Sequence, residues 1–356
     1  MEKILRKLKE IKLELRFMHV CGTHQDTIIK YGLDKLLKEC NMEVRQGPGC
    51  PVCVTSSLEI EKAINLAKNE ITVTSFGDMI RVPTSIGSLM DARGEGCDVR
   101  IVYSIEDAIE FAKKSPNKKV VFIAIGFETT APSTASIIKE EDIPENFSIL
   151  SYHRYLPPAL RALLNMGELR IDGIIEPGHV STIIGLKPYE EISKGYNLPQ
   201  VVVGFEPLDV MMGVYMLVKQ KLNKQARVEN EYSRTVKQDG NRKALKLMSE
   251  IFEPSDVNWR GFQLIPKSKM KLKKEFEKYD AEVIYGDLLE EISEKEEYEP
   301  EGCKCSEVLR GLIEPNDCPL IGTKCIPQNP VGPCMVSFEG ACNIEYKYRK
   351  ASHLKK

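Results

Sequence analysis

The sequence predicts an α/β protein in which two lobes with mainly parallel sheets face a common cleft and a small, loop-rich C-terminal region follows. Three observations lead there. Between residues 16 and 220, short apolar runs alternate with longer amphipathic ones, as parallel sheets with helices on both faces require. Many apolar runs pass straight into polar or glycine-rich signatures: HV-CGTH, TSFGDM, IAIGFETTAP, IIEPGHVS and VVVGFEP. Ligands of open parallel sheets bind beyond the carboxyl ends of the strands, so these signatures can line one cleft. Finally, six of the eleven cysteines fall after residue 302, among prolines and glycines.

Taken in order, residues 2–15 carry Ile4, Leu5, Leu8, Ile11 and Leu15 at near-helical spacing and predict an amphipathic helix. RFMHV, ITVTSF, VRIVYS, VVFIAIGF, FSILSY, GIIEPG and QVVVGF read as strands. Between them, residues 26–38, 57–69, 105–114, 132–140, 157–166 and 207–220 read as helices. Ile-Gly-Phe-Glu at 125–128 and Val-Gly-Phe-Glu at 203–206 are near repeats, which suggests two similar lobes. From residue 221 a charged stretch with a helical pattern runs to 252, WRGFQLI reads as a strand, and acidic EEISEKEEYEPEG reads as a solvated linker. The expected divisions are 1–118, 119–221 and 222–356.

Lys plus Arg total 50 against 52 Asp plus Glu, and the net charge of −2 provides no field for gathering nucleic acid or anionic lipid. The N-terminus lacks the unbroken apolar core of a signal peptide, and no apolar run is long enough to span a bilayer. A cytoplasmic protein is therefore expected. In a reducing compartment, eleven cysteines point to metal or redox chemistry rather than a disulfide framework.

The C-terminal thiols Cys303, Cys305, Cys318, Cys325, Cys334 and Cys342 compete for the four places of an iron-sulfur cluster or a structural zinc. Cys305, Cys318, Cys325 and Cys342 have the spacing Cys-x12-Cys-x6-Cys-x16-Cys. Zinc sites favour Cys-x2-Cys pairs, so this spacing favours a cluster. Upstream, Gly47-Pro48-Gly49-Cys50-Pro51-Val52-Cys53 places a Cys-x2-Cys before a helix, where it can cycle between dithiol and disulfide or supply half of a zinc site. In Cys21-Gly22-Thr23-His24 the thiol sits between a strand and a helix N-terminus, where free N–H groups favour thiolate. Cys21 is thus a candidate nucleophile or metal ligand, and His24 a source of charge or a ligand nitrogen. The plainer reading makes them a buried strand-end cysteine and a surface cap.

Other strand exits carry His179, a candidate for metal binding, proton transfer or helix capping, and the acids Asp78 and Glu128. Each acid can hold iron, orient a histidine or cap a helix. His19 alternates with strand apolars and reads as structural, and His353 lies in a basic tail.

Together these motifs resemble the HypD family of NiFe-hydrogenase maturation proteins. The resemblance rests on residues 17–24 around CGTH, GPGCPVC at 47–53, TSFGDMIRVP at 74–83 and GFETTAP at 126–132. It continues through PGHVS at 177–181, GFEP at 204–207 and the C-terminal cysteine pattern with PVGPCMVS at 330–337. It implies two Rossmann-like lobes around a central cleft and a C-terminal 4Fe-4S cluster region. It also implies a HypC-like chaperone and, transiently, a HypE-like cyanide donor as partners while iron acquires its cyanide and CO ligands as Fe(CN)2CO; with no coiled-coil heptad or long exposed edge strand in the sequence, a monomer that forms such heteromers is expected. By matching motif, Cys21 would bind the scaffold iron, Cys50 and Cys53 would form the redox pair, and Cys305, Cys318, Cys325 and Cys342 would hold the cluster. Cys303 and Cys334 would then be non-ligands. His24 joins the catalytic set, with Asp78, Glu128 and His179 around it. Such a protein is mainly an assembly scaffold with redox activity rather than a conventional enzyme. The rival is a free-standing iron-sulfur thiol-disulfide oxidoreductase, which has no need of the CGTH signature.

Overall fold

The computed structural model describes residues 1–350 apart from positions 141, 169, 294 and 295, and His353 lies outside the described residues. Among the described residues eleven strands run β1 Leu15–His19, β2 Met42–Gln46, β3 Thr72–Ser75, β4 Val99–Ile101, β5 Val120–Gly126, β6 Phe147–His153, β7 Gly173–Pro177, β8 Gln200–Val203, β9 Val228–Asn230, β10 Phe252–Asn258 and β11 Leu264–Leu272. They form a parallel sheet in the order β2-β1-β7-β8-β9, a second parallel sheet in the order β4-β3-β5-β6, and the antiparallel hairpin β10-β11. The α/β class and the mainly parallel sheets follow the sequence reading.

The central strand β5, VVFIAIG, and its neighbour at the sheet edge, β6, FSILSYH, are buried along their whole length, because helices or the hairpin cover them. Each fully buried Val or Ile contributes about 1.5–3 kcal/mol, which is why continuous apolar runs mark these strands. The helix Ser57–Lys68 starts at a capping box in which Ser56 and Glu59 satisfy each other's backbone amides. Proline opens the helices Leu156–Met166 and Pro207–Leu222, where its missing N–H costs nothing.

The sheets do not divide the chain in halves. β1 pairs with β7 and so joins β2-β1 to β7-β8-β9, and the whole β3–β6 sheet is inserted between them in the chain, so the expected division at residue 118 falls inside the second sheet, between β4 and β5. Local differences have local causes. The helix expected over residues 2–15 ends at Lys9, because Leu15 enters β1 opposite Met42. The helix expected over 26–38 breaks at Gly32, whose φ of 65° is left-handed, giving Gly22–Lys30 and Leu33–Lys38. The charged stretch after 221 folds as β9 and then the helix Arg242–Ile251. Edge strand β2 and β10 were not legible, as their residues are largely polar and partly exposed. Among the described residues no helix is long and apolar enough to cross a membrane.

Candidate functional site

β1 delivers Cys21 to the N-cap of the helix Gly22–Lys30, with only 7% of its surface exposed. Burial pushes its thiol up to about 11, with the Glu339 carboxyl adding to that, while the His24 and Thr23 amides pull the other way. A bound cation would supply what this pocket otherwise lacks for holding thiolate. The GPGC loop after β2 crosses directly over this turn. The Gly22 amide donates to the Gly49 carbonyl at 3.4 Å, and a Cβ on Gly49 would fall 2.2 Å from the Cys21 nitrogen. Only glycine permits that approach.

Cys50 caps the short helix Pro51–Val54 and is disulfide-bonded to Cys53, with both sulfurs buried. The Cys53 sulfur lies 3.9 Å from the carbonyl oxygen of Pro333, which opens the helix Pro333–Val336. The next residue, Cys334, is in thiol contact with Cys305 and Cys342. After β3, Asp78 accepts the Phe338 amide at 3.1 Å, fastening the C-terminal segment beside Glu339 and Gly22. The structure thus gathers Cys21, the Cys50–Cys53 pair and the C-terminal cysteines along one line of contacts.

His24 is buried, not a surface cap. Its Nε2 donates to the Gly204 and Val203 carbonyls at 2.9 and 3.2 Å, and burial lowers it to about 4, so the ring is neutral. That ring ties the CGTH turn to the end of β8 and packs on Phe205, on whose ring the exposed His179 stacks at 3.9 Å. Glu128, after β5, accepts the Leu156 amide at 3.0 Å through Oε1, and its Oε2 has no partner. Burial pushes this carboxyl up to about 7.

Among the C-terminal thiols, Cys305, Cys318, Cys325, Cys334 and Cys342 are all buried. Cys305 touches Cys303, Cys334 and Cys342, so two of the four expected ligands, Cys305 and Cys342, are in direct contact. Cys325 accepts the Val331 amide at 3.4 Å and faces Cys318 electrostatically. No group of three or more His, Cys, Asp or Glu among the described residues is arranged to hold a metal ion. The donor chemistry nonetheless fits an iron-sulfur cluster: the set is soft, buried and free of carboxylate, and an amide already points at one sulfur. Gly332 keeps space there, since a Cβ would fall 2.6 Å from the Cys305 sulfur and 2.7 Å from that of Cys303. Cys303 is lowered to about 7, chiefly by the Cys305 thiol and also by the Arg260 guanidinium. Cys40 packs in the core behind β1 and β2, and Cys97 lies half-buried against the core of the second sheet.

Sequence reasoning missed Glu176, fully buried at the end of β7, where the Gln200 amide on the next strand, turned so that both its ends are satisfied, donates to its Oε1 at 2.9 Å. Burial holds this acid well above the usual carboxylate range. Its signal was an acid inside an otherwise apolar strand, GIIEPG. Glu339 was also missed, because only the fold brings residue 339 to Cys21.

The sequence matches the HypD family, described as "Hydrogenase formation hypA family", over residues 1–349. A putative hydrogenase expression/formation protein of Methanocaldococcus jannaschii is 52% identical over 97% of this chain and 95% of its own length. The hydrogenase maturation factor HypD of Cupriavidus necator is 44% identical over 93% of this chain and 89% of its own. That of Escherichia coli is 42% identical over 94% and 90%.

Proposed function

The chain belongs to the HypD family of hydrogenase maturation factors, and we propose that within this role it is the scaffold on which iron receives its cyanide and CO ligands. Cys21 is the thiolate that holds the iron, sharing it with a HypC-like chaperone, and a HypE-like protein brings cyanide. The observation that carries this reading is the contact of the CGTH and GPGC motifs, with Gly49 against Cys21. That contact puts a redox-capable cysteine pair beside a buried thiol at a helix N-terminus, an arrangement a simple dithiol reductase does not need.

Cys305, Cys318, Cys325 and Cys342 would hold a 4Fe-4S cluster, which when bound supplies electrons singly. The chain's own residues do the rest. Two electrons and two protons convert the Cys50–Cys53 disulfide to the dithiol, and the approach of Cys53 to Pro333, next to Cys334, gives the electrons a short path from the C-terminal thiols. His24, neutral and fixed to the Gly204 carbonyl, orients the turn that carries Cys21. Burial of Cys21 keeps water from competing for the metal.

The test is iron content of the protein purified anaerobically with its small chaperone. Iron in excess of the cluster, lost in Cys21→Ala with the cluster retained, supports the scaffold. Equal iron in both, together with turnover of diffusible disulfides by Cys50 and Cys53, returns the protein to the oxidoreductase reading.

A further inference from the structure

A cavity of about 670 Å³ opens beyond the carboxyl ends of β5 and β6, and no cysteine lines it. Glu128 lines it after β5, and Tyr155 after β6. The apolar wall comes from both lobes and the hairpin, with Pro157, Ile184, Leu245 and Pro254 among its residues. Lys187, Arg242 and Lys267 also line the cavity, against the single additional carboxylate of Asp239. Lys187 and Arg242 both pair with Asp239, and the exposed Lys267 ammonium has no ion pair among the described residues.

Glu128 is the unusual element. It is 1% exposed, its Oε1 is committed to the Leu156 amide, and its Oε2 has no hydrogen-bond partner. Buried polar atoms are nearly always paired, so an orphaned carboxylate oxygen on the wall of an apolar cavity indicates a missing donor. The volume suits a small organic molecule rather than an ion. Excess positive charge around the same cavity suits an acidic group on that molecule.

We propose that this cavity binds a small molecule with an apolar or aromatic body, a cationic N–H donor head of the amidine or guanidine kind that meets Glu128, and an acidic tail that meets Lys267 and its neighbours. A charged N–H donor aimed at a buried carboxylate makes a hydrogen bond about twice as strong as a neutral one, so the head sets orientation. The tail adds a more exposed, salt-sensitive attraction.

Isothermal titration calorimetry on the full-length protein tests this with three probes: 4-guanidinobenzoate, which has head and tail, phenylguanidine, which lacks the tail, and benzoate, which lacks the head. The expected result is saturable, one-to-one binding of 4-guanidinobenzoate, weaker by about tenfold or more for either half-probe. Glu128→Gln weakens 4-guanidinobenzoate about tenfold, and Lys267→Ala weakens it severalfold while leaving phenylguanidine unchanged. Should Glu128→Gln fail to fold, the Lys267→Ala comparison and the two half-probes decide. Absence of saturable 4-guanidinobenzoate binding up to about 1 mM overturns the proposal, as does binding that the folded variants leave unaltered.

Discussion

Gly49 lies so close to Cys21 that a single added carbon would sit 2.2 Å from the Cys21 nitrogen and equally close to the carbonyl carbon of Val20. Neither neighbour can yield, because both are main chain at the end of β1. Gly49→Ala must therefore shift the GPGC loop. We expect a loss of about 1–3 kcal/mol in urea unfolding, together with loss of iron retention. Gly94→Ala, where an added carbon meets nothing within 4 Å, serves as the control and should change stability by less than about 1 kcal/mol.

Arg154 is fully buried and pairs with the Glu59 carboxylate, which also accepts the Ser56 amide at 3.2 Å. Glu59→Ala leaves an uncompensated guanidinium in the core and removes a helix cap, at a cost of about 3–5 kcal/mol. Arg154→Met added to it should recover part of that loss. Additive losses across the double-mutant cycle would show that the two side chains are not coupled.

His153 is buried between Thr134, whose hydroxyl lies 3.0 Å from its Nε2, and the Phe252 ring. Burial lowers it from 6.5 to about 3. The unfolded chain therefore binds a proton below 6.5 that the folded chain refuses. The stability this residue contributes is fully present above 6.5 and is lost as pH falls toward about 3, at about 1.4 kcal/mol per pH unit. Glu128 acts with the opposite sign: its carboxyl, raised from 4.5 to about 7, stays protonated in the folded chain across that interval, so its contribution falls as pH rises. His153→Gln should flatten the acid limb of a stability-pH curve, and an unchanged slope would contradict the assignment.

Cys50 and Cys53 are disulfide-bonded, and the other nine cysteines are free. Unfolded, cluster-free protein trapped without reductant should present nine reactive thiols. After reduction it should present all eleven, with the two new ones mapping to residues 50 and 53. A pair mapping elsewhere would remove the Cys50–Cys53 dithiol from the relay.

Much of this was legible in the sequence because buried parallel strands leave continuous apolar runs. The helix expected at 105–114 is Ile105–Lys114, and that expected at 57–69 is Ser57–Lys68. Cys21 and Asp78 could be singled out because each follows such a run, at the edge where parallel sheets gather ligands, and Cys50 because Cys53 stands three residues on in a Gly-Pro-rich loop. What could not be read was long-range. The insertion of β3–β6 into the first sheet leaves no local mark, because β1 pairs with β7 through register alone. Glu339 reaches Gly22, and Pro333 reaches Cys53, only after the C-terminal segment folds back on both motifs. His24 reads in the sequence as a source of charge or a ligand nitrogen, or more plainly as a surface cap, because its helix position says nothing about the Gly204 carbonyl that holds its buried, neutral ring.

The most direct test of the scaffold is anaerobic infrared spectroscopy of the protein purified with its small chaperone from cells that express the other maturation factors. The account predicts cyanide and CO stretching bands in the wild-type complex and their loss in Cys21→Ala, with the cluster absorbance kept. The same bands persisting in folded Cys21→Ala would contradict it.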